Sequence, residues 1–122
     1  MKCPCKGAFL ERFIQPSILM FLNSENLHGF SILKKLTKSN VADDSNIDPT
    51  GLYRTLKKME AAGLLSSAWD TEASAQPRRM YRITKEGKHC LAFWGETLKD
   101  YAASIGKLSR AVNQSMKDKP RK

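Results

Sequence analysis

Apolar residues recur along the chain at helical spacing, then in short runs compatible with strands, then at helical spacing again. Phe9, Leu10, Phe13, Ile14, Ile18, Leu19, Phe21 and Leu22 lie three and four residues apart and predict a helix over 9–24, with Pro16 at its start or at a kink. Polar Asn23 to Asn26 ends it. His28-Gly29-Phe30 is expected to open a second helix, with Phe30, Ile32, Leu33 and Leu36 as its apolar positions. Residues 37–48 are rich in Asn, Asp, Ser and Thr and read as a loop.

The third predicted helix has the clearest boundaries. Asp48 suits an N-cap, Pro49 the first helical position and Gly63 a left-handed C-cap. Leu52, Leu56 and Met59 form one buried stripe. Thr50, Tyr53, Arg54, Lys57 and Lys58 lie between these positions, so the outward face is cationic and hydrogen-bonding. The period then changes. Leu64 to Trp69 and Met80 to Ile83 are strand-like runs, and Asp70 to Arg79 reads as a hairpin tip carrying Arg78 and Arg79. Trp69 is expected to pack at the base of this hairpin, and strand alternation puts Tyr81 in the core with Ile83.

Thr84 caps the last predicted helix. Its apolar positions Leu91, Trp94, Leu98, Tyr101, Ile105, Leu108 and Val112 step by three and four in strict alternation. That is a heptad seam about 30 Å long, the pattern of a helix packed along another helix. Nothing else in the chain is long enough to cover it, so a second copy of the protein is the expected partner. The element order is helix, helix, capped basic helix, hairpin, long helix. It predicts a mainly α fold with a small β-wing: a winged helix-turn-helix over residues 1–86, a C-terminal dimerisation helix over 87–116 and a disordered basic tail over 117–122.

Charge fits this picture. The 122 residues carry 21 Lys and Arg against 12 Asp and Glu, a net charge of +9, which attracts polyanions. On the third helix, Arg and Lys can neutralise phosphates or bind guanine edges, and the Thr and Tyr hydroxyls can bond phosphates or bases. The expected DNA contacts are Thr50, Tyr53, Arg54, Lys57 and Lys58, with Arg78 and Arg79 supporting from the wing. Enzymatic chemistry finds no footing: both histidines stand apart in sequence, and no nucleophile–base set, carboxylate pair or phosphate loop is recognisable. No cofactor is expected. No apolar run reaches membrane-spanning length, and no apolar h-region of signal-peptide length follows Met1 to Gly7, so a cytoplasmic protein with no membrane partner is expected.

The stretch Asp48-Pro49-Thr50-Gly51-Leu52-Tyr53-Arg54-Thr55-Leu56-Lys57-Lys58-Met59-Glu60-Ala61-Ala62-Gly63-Leu64-Leu65 resembles the recognition-helix signature of the PadR family of bacterial transcriptional regulators. Pro77 to Gly87 resembles that family's second wing strand and the following helix start. Leu27 to Ile32 matches its His-Gly-Tyr motif with Phe30 in place of Tyr. The resemblance runs from about Phe13 to Leu108. It implies a homodimeric repressor bound to double-stranded DNA, of the small subgroup with a single C-terminal helix.

The resemblance also implies an alternative emphasis, a sensing dimer whose effector releases DNA. Some small relatives bind flat aromatic drugs between tryptophans at the dimer centre. The aligned position is Leu98 here, and Trp94 stands one turn earlier. Phe9, Phe13, Phe93, Trp94 and Leu98 could line an apolar cavity for a small-molecule inducer, against the simpler reading of Trp94 as packing. Cys3-Pro4-Cys5 is similar to the start of a polyhydroxybutyrate-responsive repressor subgroup. The spacing of Cys3 and Cys5 would let both sulfurs reach one soft metal, although an isolated pair is more often incidental and no metal site is assigned.

Overall fold

Three short helices and a three-stranded sheet form the N-terminal part of the chain, and a long helix completes it. The computed structural model describes residues 13–38, 48–70 and 78–118. The elements are α1 (Ile14–Ser24), β1 (Leu27–His28), α2 (Gly29–Lys38), α3 (Pro49–Ala61), β2 (Leu65–Asp70), β3 (Arg78–Ile83) and α4 (Lys85–Lys117). The chain divides into two units, one up to Leu91 and one from Ala92.

In the first unit the core is built from the predicted stripes. Ile18, Leu19 and Leu22 of α1, Ile32 and Leu36 of α2, and Leu52, Leu56 and Met59 of α3 are all buried. Pro16 occupies the first turn of α1, where its missing N–H costs no helical hydrogen bond. The sheet is antiparallel, in the order β1-β3-β2. β3 is its central strand, and Tyr81 on it is buried, as alternation predicts.

Three features differ from expectation. His28 does not open the second helix; with Leu27 it forms β1, pairing with Met80 and Tyr81, and α2 starts at Gly29. Two residues are too few to show alternation, so this strand left no periodic trace. Secondly, Arg78 and Arg79 are not at the hairpin tip. They belong to β3, where they pair with Asp70 and Trp69, and the tip lies outside the described residues. Thirdly, Trp69 does not pack into the wing base. It is 61% exposed, and its ring lies against the Arg79 guanidinium, 4.7 Å from Cζ to the ring centroid.

The joints are made by local chemistry. Asp48 caps α3, its carboxylate accepting from the backbone N–H of Thr50 and Gly51. At the other end Gly63 has φ +84°. Gly63 N donates to Glu60 O and Leu64 N to Met59 O, each at 3.0 Å, the paired closure that a left-handed residue after a helix allows. Thr84 joins the wing to α4. Its hydroxyl donates to Gly63 O at 2.6 Å and accepts from Gly87 N at 2.9 Å, and its own N–H donates to Leu64 O at 3.1 Å.

In the second unit, the helix presents the heptad positions Tyr101, Ile105, Leu108 and Val112 at roughly half exposure or more, with Trp94 and Leu98 less exposed. Lys117 is the last residue of α4 and so belongs to the helix and not to a tail; residues 119–122 lie outside the described residues.

The joint at Thr84 makes Gly87 irreplaceable on steric grounds. A Cβ there would overlap the Leu64 carbonyl oxygen and meet Ile83 Cγ1 at 2.7 Å, whereas one on Gly95 would meet nothing within 4 Å. Gly87→Ala should lower unfolding free energy in urea by about 1–3 kcal/mol, the usual range for overpacking. Gly95→Ala should be neutral or raise stability by up to about 1 kcal/mol through helix propensity. Equal effects of the two substitutions would contradict this account of the joint.

Candidate nucleic-acid interface

The helix wheel of α3 separates its two chemistries. At about 100° per residue, Thr50, Tyr53, Arg54, Lys57 and Lys58 fall within an arc of about 140°, opposite Leu52, Leu56 and Met59. All five are exposed, and among the described residues Arg54, Lys57 and Lys58 make no ion pair. Buried leucines on one side and a rigid cap at each end therefore hold three cations and two hydroxyls toward solvent.

Tyr53, 44% exposed, is packed on one side of its ring. Its ring lies over the start of α2, where a Cβ on Gly29 would stand 2.5 Å from Tyr53 Cε1 and 3.0 Å from its hydroxyl oxygen. The absent side chain of Gly29 is thus what lets the aromatic ring settle there. His28, just before it, has Nε2 3.1 Å from Asp70 Oδ2. That contact ties the start of α2 to the far end of β2.

The two wing arginines differ. Arg78 is exposed, while Arg79 is half-buried. Arg79 Nη1 donates to Ser67 Oγ at 2.7 Å, and Ser67 Oγ donates to Glu60 Oε2 of α3, also at 2.7 Å. Burial pushes the Tyr81 hydroxyl pKa above its ordinary value, with Arg79 pulling it partly back, so Tyr81 remains a neutral phenol at physiological pH. Phe30, Tyr53, Trp69, Arg78, Arg79 and Tyr81, with His28 and Gly29, surround an open groove of about 350 Å³ between α2, α3 and the wing. Sequence reasoning missed Phe30 and Trp69 as members of this face. A single aromatic on a short element has no periodic signature, and only the folded register brings the two together.

The other predicted residues differ in exposure. Phe13, Trp94 and Leu98 are half-buried and Phe93 is 74% exposed; Phe9 lies outside the described residues, as do Cys3 and Cys5. Among the described residues no group of three or more His, Cys, Asp or Glu is placed to hold a metal, and no helix is long and apolar enough to cross a membrane.

A capped basic helix beside a small antiparallel wing, followed by a long helix, defines a winged-helix protein. The family model described as the transcriptional regulator PadR-like family matches residues 18–92, and the chain belongs to that family, one of transcription regulators and not of enzymes. No curated protein matches the chain. Several crystal structures are similar. A PadR family transcription regulator from Clostridium difficile R20291 superposes with a TM-score of 0.68 at 23% identity, covering 79% of this chain and 97% of its own. One from Eggerthella lenta DSM 2243 gives a TM-score of 0.61 at 28% identity, covering 75% and 79%. A conserved protein described as a potential transcriptional factor gives 0.74 at 26% identity, covering 91% and 96%.

The packing of Tyr53 on Gly29 has a measurable consequence. Gly29→Ala should displace the Tyr53 ring outward at a stability cost below about 1 kcal/mol, because a half-exposed side chain can swing away with little buried area lost. A loss of several kcal/mol in chemical denaturation would mean that the ring cannot yield. In a Tyr53→Ala background the same substitution should cost nothing further.

Proposed function

We propose that this protein is a homodimeric DNA-binding repressor that reads an inverted-repeat operator through α3 and its wing. The observation that carries this reading is the exposed arc of Thr50, Tyr53, Arg54, Lys57 and Lys58 on a helix capped at both ends. A solvated basic face would serve solubility equally well if it stood alone. Here it lies next to a wing strand with exposed Arg78, and the two present positive charge beside one open groove, an arrangement that suits a helix entering the major groove while a wing holds the flanking backbone.

Dimerisation supplies the symmetry. In the second unit Ile105, Leu108 and Val112 are each more than half exposed along α4 and present an apolar stripe to water. A second copy of the same helix has the length and spacing to cover it. Residues 1–86 then act as the DNA-reading domain and 87–116 as the dimerisation helix. Two-fold symmetry places equivalent helices on half-sites about one turn of DNA, roughly 34–36 Å, or somewhat more apart. Repression follows if the operator overlaps a promoter. A second reading, an apolar inducer bound beside the seam, draws on Phe93, which stands off the heptad positions at 74% exposure.

Two measurements test the proposal. Fluorescence anisotropy with duplex DNA from the promoter of the protein's own gene should show tight, salt-sensitive binding. Replacing Arg54 and Lys57 by Ala should reduce the slope of log affinity against log salt by about 0.9 for each phosphate contact removed; unchanged affinity at moderate salt would overturn the assignment of α3. In sedimentation, the wild type should run as a dimer. Leu98→Glu with Ile105→Glu should run as a monomer, since placing like charges on a buried seam costs several kcal/mol.

A further inference from the structure

The groove between α2, α3 and the wing is lined by three large aromatic side chains that a folded chain would ordinarily shelter. Phe30 is 58% exposed, Tyr53 44% and Trp69 61%. Single exposed aromatics are commonplace, but three converging on one groove of about 350 Å³ mark a surface that meets a partner. The charge of the lining narrows the choice. Arg78 at the rim and Arg54 and Lys57 on the exposed arc of α3 favour an anion. A unit with flat or apolar faces and a negative charge suits this lining, since aromatic walls stack and cations pair.

Arg79 has a different disposition from its neighbour. One of its N–H groups is committed to Ser67, whose single hydroxyl hydrogen is in turn committed to Glu60 of α3. One face of its guanidinium lies on the Trp69 ring. The result is a chain of contacts, Glu60 to Ser67 to Arg79 to Trp69, running from α3 into the wing. It sets the angle at which the indole stands relative to the basic face of α3.

We propose that the groove seats one sugar–phosphate unit of the duplex that α3 reads, with Trp69 as the contacting wall, and that Arg79 is a positioning residue for Trp69 and not a phosphate ligand. This rests on the DNA-reading face proposed above. Trp69 contributes apolar surface against the deoxyribose, Arg78 pairs with the phosphate, and Arg79 spends its charge and hydrogen-bonding on the wing itself.

The test uses the full-length protein and a duplex that it selects from a randomised pool, with affinity measured over a salt series. Arg79→Lys keeps the charge but loses the planar stack and the guanidinium geometry. It should weaken binding about three- to tenfold, the scale of one hydrogen bond or cation–π contact, with the salt slope unchanged. Ser67→Ala, which removes no charge, should weaken binding to a similar degree. The double variant should be no weaker than the worse single one, because both break the same chain. Trp69→Ala should weaken binding without changing the slope, and Trp69→Phe should restore part of the loss. Arg78→Ala should reduce the slope by about 0.9. Trp69 emission, isolated as the difference from Trp69→Phe, should change when the duplex is added and should not do so normally in Ser67→Ala. Thermal unfolding of each variant separates these effects from loss of fold. If Arg79→Ala lowers the slope by one charge while Arg79→Lys and Ser67→Ala bind normally, Arg79 is a phosphate ligand and the proposal fails. If Trp69→Ala binds normally and the emission stays silent, the groove holds some other occupant and the proposal also fails. A wild-type protein that selects no duplex overturns the DNA reading itself, and is distinguished from these by the absence of any binding to compare.

Discussion

The architecture depends on one side chain, Thr84. Its hydroxyl bonds both Gly63 O and Gly87 N, and its backbone N–H bonds Leu64 O. These three bonds bring the end of α3, the root of the wing and the start of α4 to a single point. The wing hairpin enters and leaves at that point, so its angle to α3 is set there before any side chain of the wing is considered. Only an atom as small as a glycine hydrogen fits at Gly87, under the Leu64 carbonyl. The left-handed turn at Gly63 is the other half of this constraint, because a right-handed residue there would carry the chain on past the point where Thr84 meets it.

The wing's distal half is held by a second set of bonds. Ser67 and Arg79 hang from Glu60 on one side of the wing, and Asp70 meets His28 at the start of α2 on the other. A two-stranded hairpin alone is marginally stable in water. Here the third strand, β1, is only two residues long, so side-chain contacts must supply much of what strand pairing does not. The polar groups involved are partly sheltered, which makes them stiffer than surface pairs while leaving them accessible to change by small substitutions.

Much of this was legible in the residues alone because it is periodic or capped. The stripe Leu52, Leu56, Met59, the Asp48-Pro49 start, the Gly63 stop and the Thr84 cap each leave a local signal, and each appears where expected. The family followed from the same stretch. What escaped had no local signal. β1 is too short to alternate. Arg78 and Arg79 look like tip residues because Pro77 precedes them, yet strand pairing extends to Asp70 and Arg78. Trp69 is an aromatic expected to pack at the wing base, whereas it lies near the outer end of β2, four residues beyond buried Leu65, with the Arg79 guanidinium against its exposed ring. Two adjacent arginines are indistinguishable in a sequence; their different surroundings come from Ser67 and Glu60, seven residues apart and on different elements.

The same distinction changes what the net charge of +9 means. Residues 88–122 hold eight basic and three acidic side chains, and residues 1–87 hold thirteen and nine, so the stretch 1–87 that carries the basic helix has the smaller excess. Between Arg54 and Lys85 there are seven Arg and Lys, and at least one of them, Arg79, is engaged within the wing by Ser67 and the Trp69 ring. A face with so few outward cations draws limited strength from counterion release alone, because that strength scales with the number of phosphates neutralised. Apolar and hydroxyl-bearing side chains must supply the remainder. Phe30, Tyr53 and Trp69 are exposed where such contacts would be made. Sequence preference in a surface of this kind depends more on how rigidly those few groups are held than on how many charges surround them, and the bonds through Ser67 and Thr84 provide that rigidity.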